Sequence, residues 1–320
     1  MKQMTGHGIS KKCHVVVVGA GVIGMCTACS LVNQGVRVSV IDKSTIASGS
    51  SGRSVGVVGT QLTDYVDILL RKHSVDFFTW MESQGLRFNH IGYLRLARTA
   101  QQMAYFEKSV DIQKTLGLRS RLCTPTQLKE LVPHISTQGL AGGIFGPDNG
   151  FIDPHEMCSL LGGLIREKGG EIMQRSRIDG IQVEAGQITV STEKKEIHCD
   201  YIVNAAGAWA PSVAEMMGQT LHVYAERHEA VNIRLSEPLD YVMPMMMDLV
   251  NGEGTGLNLR HERPGELVAE VHASTGTVDE DPDHYNELCN EDSKIRLAEL
   301  IMERVPDLPG ASLRHGWAGL

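Results

Sequence analysis

The sequence predicts an α/β chain, α+β when taken whole, and three observations carry that expectation. Residues 14–42 read as strand, glycine turn, helix and strand in immediate succession. Residues 201–210 repeat the theme, with YIVN leading into a glycine-containing turn and a helical segment. Between and after these stretches, residues 178–203 and 221–271 carry the short, β-rich runs of an antiparallel sheet.

The first stretch repays a reading residue by residue. Val15, Val16, Val17 and Val18 form a β-branched run, which suits a strand buried on both faces. Gly19, Gly21 and Gly24 follow in the spacing G-x-G-x-x-G. Their roles are a tight turn, close approach of backbone to a pyrophosphate, and close packing of helix on strand. Alanine, leucine, methionine and cysteine then dominate through about residue 33, and Gly35 stops that helix. Residues 36–41 alternate as a second strand, and Asp42 stands 18 positions after Gly24, where an acid accepts hydrogen bonds from ribose hydroxyls. An acid there disfavours a 2′-phosphate, so FAD or NAD is expected over NADP. The uncharged run 15–32 also fits a membrane helix by length, but three glycines and the surrounding β-α-β order argue against a span.

Composition sets the remaining bounds. The 320 residues, 42% hydrophobic and 21% charged, suit two globular domains or one large α/β unit. A net charge of −8 leaves no basic stripe to neutralise phosphates, so no nucleic acid is expected as partner. Seven scattered cysteines point to reduced thiols. Residues 1–13 are short and polar, without the apolar stretch of a secretory signal, and no transmembrane segment is read elsewhere. A cytoplasmic location is therefore expected, or the mitochondrial matrix in a eukaryote.

The rest follows in order. Residues 44–54 (STIASGSSGRS) make a loop whose hydroxyls and amides can wrap phosphate oxygens, with residues 55–59 running beneath a redox ring. Residues 64–84 and 100–116 have helical spacing, each closed by a glycine. Residues 88–96 read as strands opening a second domain, and Thr124 begins a short helix that Pro133 ends. Residues 142–154 are dense in turn formers, 155–168 form a helix, 171–177 a strand, and 178–203 a β-meander turning at residues 184–186. Residues 221–271 are strands, 279–285 an acidic loop on the solvated surface, and 290–305 a helix stopped by Pro306.

In this order the motifs resemble one family, the D-amino-acid-oxidase-like FAD-dependent amine oxidoreductases. The likeness rests on the first glycine turn, GSSGRSVGVV, NGFIDP before a helix, VNAAGAWA, and LRHERPGEL at residues 259–267. The last is similar to a segment of dimethylglycine and sarcosine dehydrogenases; NHIGYL, TPTQLKELVP and the terminal WAG resemble that branch and the sarcosine oxidase and proline dehydrogenase β subunits. The resemblance implies a Rossmann-like FAD-binding domain, residues 11–84 and 147–213, beside an antiparallel-sheet substrate domain, residues 85–146 and 214–310. Residues 311–320 would begin a return to the first. It further implies that Gly19, Gly21, Gly24 and Asp42 hold the ADP moiety and that Ser50, Ser51 and Arg53 lie over phosphates and ribityl. Ile178 would offer a backbone group to adenine, Ala206 and Gly207 a second turn against the cofactor, and Lys43, Ser54 and Trp209 further contacts. Where the dimethylglycine dehydrogenase branch carries Trp-His, the histidine anchoring flavin covalently, this chain has Gly52 and Arg53; non-covalent FAD is the expectation. Family members continue past W-x-G, so a truncated chain or a wall supplied by a partner is expected at the flavin.

The implied reaction removes a hydride from the carbon beside a small secondary or tertiary amine, of sarcosine, dimethylglycine, glycine or proline type. A carboxylate on such a substrate calls for an arginine fork, and Arg260 is the candidate, with an ion pair to Glu262 as its bland alternative. His228 is the candidate polar group facing the flavin, with a structural role as the alternative. Cys26 and Cys29 stand at i, i+3 in a helix and are expected to pack, as are Met243 and Met245 to Met247. No metal-ligand spacing occurs. A 2-hydroxyacid dehydrogenase on the same fold is the second reading, disfavoured because residues 50–59 hold no histidine base. A third is a non-catalytic fragment or subunit that works only in a complex, with a partner subunit or an electron-acceptor protein.

Overall fold

The computed structural model describes residues 13–184, 186–251, 255–272 and 279–320; the polar stretch before Cys13 and Ala185 of the expected turn lie outside the described residues. Four strands make an all-parallel sheet in the order Tyr201–Asn204, His14–Val18, Arg37–Ile41, Glu171–Met173. Val15, Val16 and Val17 are at most 2% exposed, which is why the strand is valine throughout: it meets protein on both faces. On one face the helix Val22–Asn33 packs against the helix Pro154–Glu167. The latter starts where the Asp153 carboxylate accepts from the amides of His155 and Glu156, with Pro154 in the first turn.

On the other face lies a three-stranded meander, Ile178–Glu184, Gln187–Thr192 and Glu196–Cys199. The segment expected to complete it, Tyr201–Asn204, instead leaves and joins the parallel sheet beside His14–Val18. Asp200 makes that corner: its amide donates to the His14 carbonyl and its carboxylate accepts from the His14 amide. Ile197 and Cys199 keep the meander seated on Val16, Val18 and Ile41.

The large sheet has eight strands in the order Ser312–Gly319, His228–Arg234, Glu266–His272, Thr255–Arg263, Met245–Asn251, Tyr93–Ala97, Gly142–Gly146, Arg121–Cys123. All its pairings are antiparallel except Met245–Asn251 against Tyr93–Ala97. Strand alternation separates its two faces. Leu94, Met246, Leu257, Leu259, Leu267, Val231 and Ile233 point into a core shared with Leu297, Leu300 and Ile301 of the helix Glu291–Arg304. Tyr93, Met247, Asn258, Arg260, Val268, Glu270 and Asn232 have the opposite parity. Part of that face is covered by a small sheet of Val57–Val58, Gly150–Ile152 and Phe88–Asn89, since Arg260 lies 3.8 Å over the Phe151 ring.

The helices expected near 64–84, 100–116 and 124 form as Tyr65–Ser83, Ala100–Thr115 and Pro125–Leu131, the last two with complete capping boxes from Thr99/Gln102 and Thr124/Gln127. The strand expected from residue 221 begins only at His228. The preceding residues are tied elsewhere: the Ala225 amide donates to Asp279, and the Arg227 guanidinium donates to the carbonyls of Asn286 and Leu288. Among the described residues no helix is long and apolar enough to cross a membrane.

Candidate cofactor and active site

The glycine turn is built as its spacing requires. Gly19 adopts φ +106°, and a Cβ there would stand 2.3 Å from the Ala205 carbonyl oxygen, so two turns from adjacent parallel strands touch backbone to backbone. A Cβ on Gly24 would lie 1.9 Å from the Gly19 oxygen, which measures how tightly the helix sits on its own turn. The first turn of that helix carries no acid, leaving its positive end open to an anion. Ser51 Oγ accepts from the Val22 amide at 2.9 Å, placing the serine-rich loop over the same helix end.

Asp42 follows the second strand, and both carboxylate oxygens hold backbone: Oδ2 accepts from Ala20 and Oδ1 from Ser44, each at 2.7 Å. These bonds fix the carboxylate at the rim of the turn while each oxygen retains a lone pair for a hydroxyl. Open helix terminus, close-packed glycines and rim acid together fit the diphosphate and ribose of a dinucleotide.

The other expected cofactor contacts fall into three groups. Ser50 and Ser51 open the short helix Ser50–Arg53, Ser54 closes it, and Ala206 with Gly207 forms the second turn, Gly207 at φ +57°. Ile178 is buried in the core beneath the meander. Lys43, Arg53 and Trp209 are engaged by the loop that was expected to be plain solvated surface. Asp283 pairs with Lys43 at 2.5 Å and accepts from Trp209 Nε1 at 3.0 Å, while the Lys43 ammonium lies 3.8 Å over the Trp209 ring. The hydrogen bond from Lys43 holds the Asp283 carboxyl below its ordinary range. Arg53 donates to the Ser48 carbonyl at 2.6 Å and to Glu287 at 2.5 Å, and its own carbonyl accepts from Trp317 Nε1. The guanidinium thus joins loop 48–54 to the strap at 283–287; opposite charge brings together two segments whose sequence separation exceeds 230 residues.

A cavity of about 300 Å³ lies against this loop, with Gly52, Phe151, His155, Asn232, Arg260 and Trp317 among its walls. Arg260 is 6% exposed, and burial lowers its affinity for a proton. It stacks on Phe151 and donates from Nη1 to Glu262 at 2.5 Å. The expected ion pair with Glu262 therefore exists, at the cavity wall, with Arg260 buried and Glu262 part-exposed. His228 shares the parity of Ala230 and Asn232 yet sits at the open end of its strand, exposed, opposite Gly319 and 3.6 Å from Glu226; the cavity is lined without it.

Sequence reasoning missed His155. A Cβ on Gly52 would lie 2.4 Å from the His155 ring, so the absent side chain at 52 makes room for that imidazole. No motif marks it, because it comes from a helix start about 100 residues away. Asn258 and Glu270 were also missed, although N-x-R at 258–260, alternating with Leu257 and Leu259, was a usable signal for Asn258. Cys26 and Cys29 pack as expected; burial pushes the Cys26 thiol up to about 12. Met243 and Met246 are core, whereas Met247 accepts from the Tyr93 hydroxyl on the site face.

Comparison with known proteins agrees with this geometry. The family model described as "FAD dependent oxidoreductase" (DAO) matches residues 14–320. Among curated relatives, 4-methylaminobutanoate oxidase (formaldehyde-forming) of Paenarthrobacter nicotinovorans is 28% identical over 79% of this chain and 31% of its own length. Mitochondrial sarcosine dehydrogenase of Mus musculus is 26% identical over 68% and 25% respectively. The chain thus spans about a third or less of the length of these relatives. Among solved structures, L-proline dehydrogenase from P.horikoshii superposes with a TM-score of 0.85 at 25% identity, covering 97% of this chain and 82% of that one. The chain belongs to the DAO family of FAD-dependent oxidoreductases, and its cofactor is FAD.

Proposed function

We propose that this chain oxidises the C–N bond of a small secondary or tertiary amino acid, of sarcosine, dimethylglycine, glycine or proline type. The observation that carries the reading is Arg260: a buried guanidinium on the wall of a cavity that also touches the phosphate-loop residues Gly52 and Ser54. A charge buried at a cavity wall and only partly compensated is suited to a carboxylate ligand. Relatives named for 4-methylaminobutanoate, sarcosine and dimethylglycine support an amine that carries such a group.

When bound, FAD supplies the hydride acceptor. The chain's own residues do the rest. Gly19, Gly21, Gly24, Ser50, Ser51 and Ala206 with Gly207 cradle the diphosphate, and Asp42 holds the ribose. Arg260 fixes the substrate carboxylate, which orients the carbon beside nitrogen. Phe151 and Val268 exclude water from the same space. Arg53 in place of a histidine supports non-covalent FAD. We assign residues 11–84 and 147–213 to the FAD-binding part and 85–146 and 214–310 to the substrate part. Separate hydrophobic cores around the parallel sheet and the large sheet support that division. The strand Ser312–Gly319, reaching from the large sheet to the Arg53 carbonyl, supports 311–320 as the link between them.

One observation favours a second reading, oxidation of a 2-hydroxyacid: His155 lines the same cavity as Arg260, supplying the imidazole that loop 50–59 lacks. An anaerobic titration of the FAD-loaded chain separates the two. Bleaching by sarcosine, dimethylglycine or proline, with free FAD released on acid precipitation, is expected. Bleaching by lactate alone would move the assignment to the hydroxyacid.

A further inference from the structure

We propose that Asn258 and Glu270, which continue the Arg260 face of the sheet just beyond the residues lining the cavity, recognise the amine of a zwitterionic amino acid whose carboxylate Arg260 holds, and so set selectivity for it; this rests on the amine-oxidation reading. The evidence is a pair of complementary vacancies in hydrogen bonding. Asn258 is 3% exposed and its Oδ1 has no partner among the described residues; Arg260 is 6% exposed and its Nε likewise has none. One is an acceptor and the other a donor, and a buried group left unpaired costs about 1–3 kcal/mol. Both stand on the strand Thr255–Arg263, two residues apart and therefore on one face.

Glu270 completes the set. It is the direct cross-strand partner of Asn258, as Val268 is of Arg260. Glu270 and Arg260 are thus diagonal neighbours, about 7–8 Å apart at the backbone and within reach of one ligand. Asn258 Nδ2 donates to Glu270 Oε1 at 2.6 Å. An ionised carboxylate only accepts, so this bond fixes the amide with its oxygen free to accept a further N–H. The neighbours on the other side are apolar or capped: Met247 lies across from Asn258 and takes the Tyr93 hydroxyl.

The face therefore offers, in order, a carboxylate, an amide oxygen and a guanidinium N–H. An ammonium or secondary amine donates to the first two, and a carboxylate accepts from the third, so a small amino acid meets every unpaired group at once. A 2-hydroxyacid brings the carboxylate but a single neutral donor, leaving the Glu270 charge without a cation.

The test compares the FAD-loaded full chain with E270Q and E270D, reading steady-state kinetics with sarcosine and inhibition by acetate, which carries only the carboxylate. For E270Q we expect KM for sarcosine to rise by about tenfold to a hundredfold, the range of a hydrogen bond to a charged group. The acetate inhibition constant should move less than twofold, FAD content should be unchanged, and E270D should recover part of the loss. Equal weakening of sarcosine and acetate, loss of FAD, or no change in either ligand overturns the assignment of Glu270. A wild-type chain that takes up FAD but is bleached by none of the three amines overturns the amine reading itself, a distinct result.

Discussion

Replacing Gly24 with alanine tests the cofactor turn through a single methyl group. The Cβ would lie 1.9 Å from the Gly19 carbonyl oxygen and 3.0 Å from its carbon, whereas ordinary contact begins at 3.4 Å, a shortfall of about 1.5 Å. The obstacle is backbone, so no rotamer relieves it; helix and turn must separate by an ångström or more. Alanine contributes about 0.5–1 kcal/mol in a helix interior, and overpacking costs about 1–3 kcal/mol. With an unyielding neighbour the upper part of that range applies, so a net loss of about 1–2 kcal/mol follows, or roughly 1.5–3 °C in Tm for a chain of 320 residues. On the proposed placement of the diphosphate at this helix end, moving the helix from the turn loosens the site, and we expect FAD affinity to fall at least tenfold, or about 1.4 kcal/mol. Thermal melts of apo and FAD-loaded protein, with a flavin fluorescence titration, read both numbers. Gly163→Ala is the control: it is also helical, and nothing lies within 4 Å of its built Cβ. Wild-type FAD affinity in G24A, or equal effects at 24 and 163, would refute the reasoning.

Further outcomes follow from other sites. Asp248 joins the buried Arg304 at 2.6 Å and the partly exposed Arg98 at 2.8 Å, tying the large sheet to its helix; D248A strands the Arg304 charge and should cost about 3–5 kcal/mol in a urea melt, against about 1 kcal/mol or less for R98A. Burial lowers the pKa of His261 from 6.5, so the unfolded chain binds more protons than the folded one as pH drops below that value; stability should decline below about pH 6.5, and the Tm slope between pH 7 and 5.5 should be shallower in H261Q. The thiols of Cys26 and Cys158, pushed up by burial to about 12 and about 11, should resist iodoacetamide at pH 8 in the native chain and react once it is unfolded, a contrast read by mass spectrometry.

Much of the cofactor site was legible because it is local. Strand, turn, helix and acid lie within 30 residues, and Gly24 answers a contact with Gly19 inside that stretch; Gly21 answers Ser51 about 30 residues on, and Gly19 answers the distant Ala205 carbonyl. The helices were legible through spacing and caps. The substrate wall was legible only in part. Arg260 stood out by its motif, but its burial depends on Phe151, which comes from a strand more than 100 residues earlier.

What the sequence determined by itself was the α/β start, the close-packed glycine turn with Asp42 at its rim, the thiols as packing groups, and the family. These depend on spacing along the chain, which sequence displays directly. Only the tertiary structure decided the rest. It took Tyr201–Asn204 out of the meander and into the parallel sheet, because the hydrogen-bonded corner at Asp200 lies beside His14. It turned the acidic loop from free surface into the partner of Lys43, and the adjoining Glu287 into the partner of Arg53, because opposite charges far apart in sequence were brought to 2.5 Å. It set His155 in the space left by Gly52, and it left an acceptor on Asn258 and a donor on Arg260 unpaired side by side. Such pairings depend on which strands become neighbours, and a single chain of residues records that only through the packing of the whole.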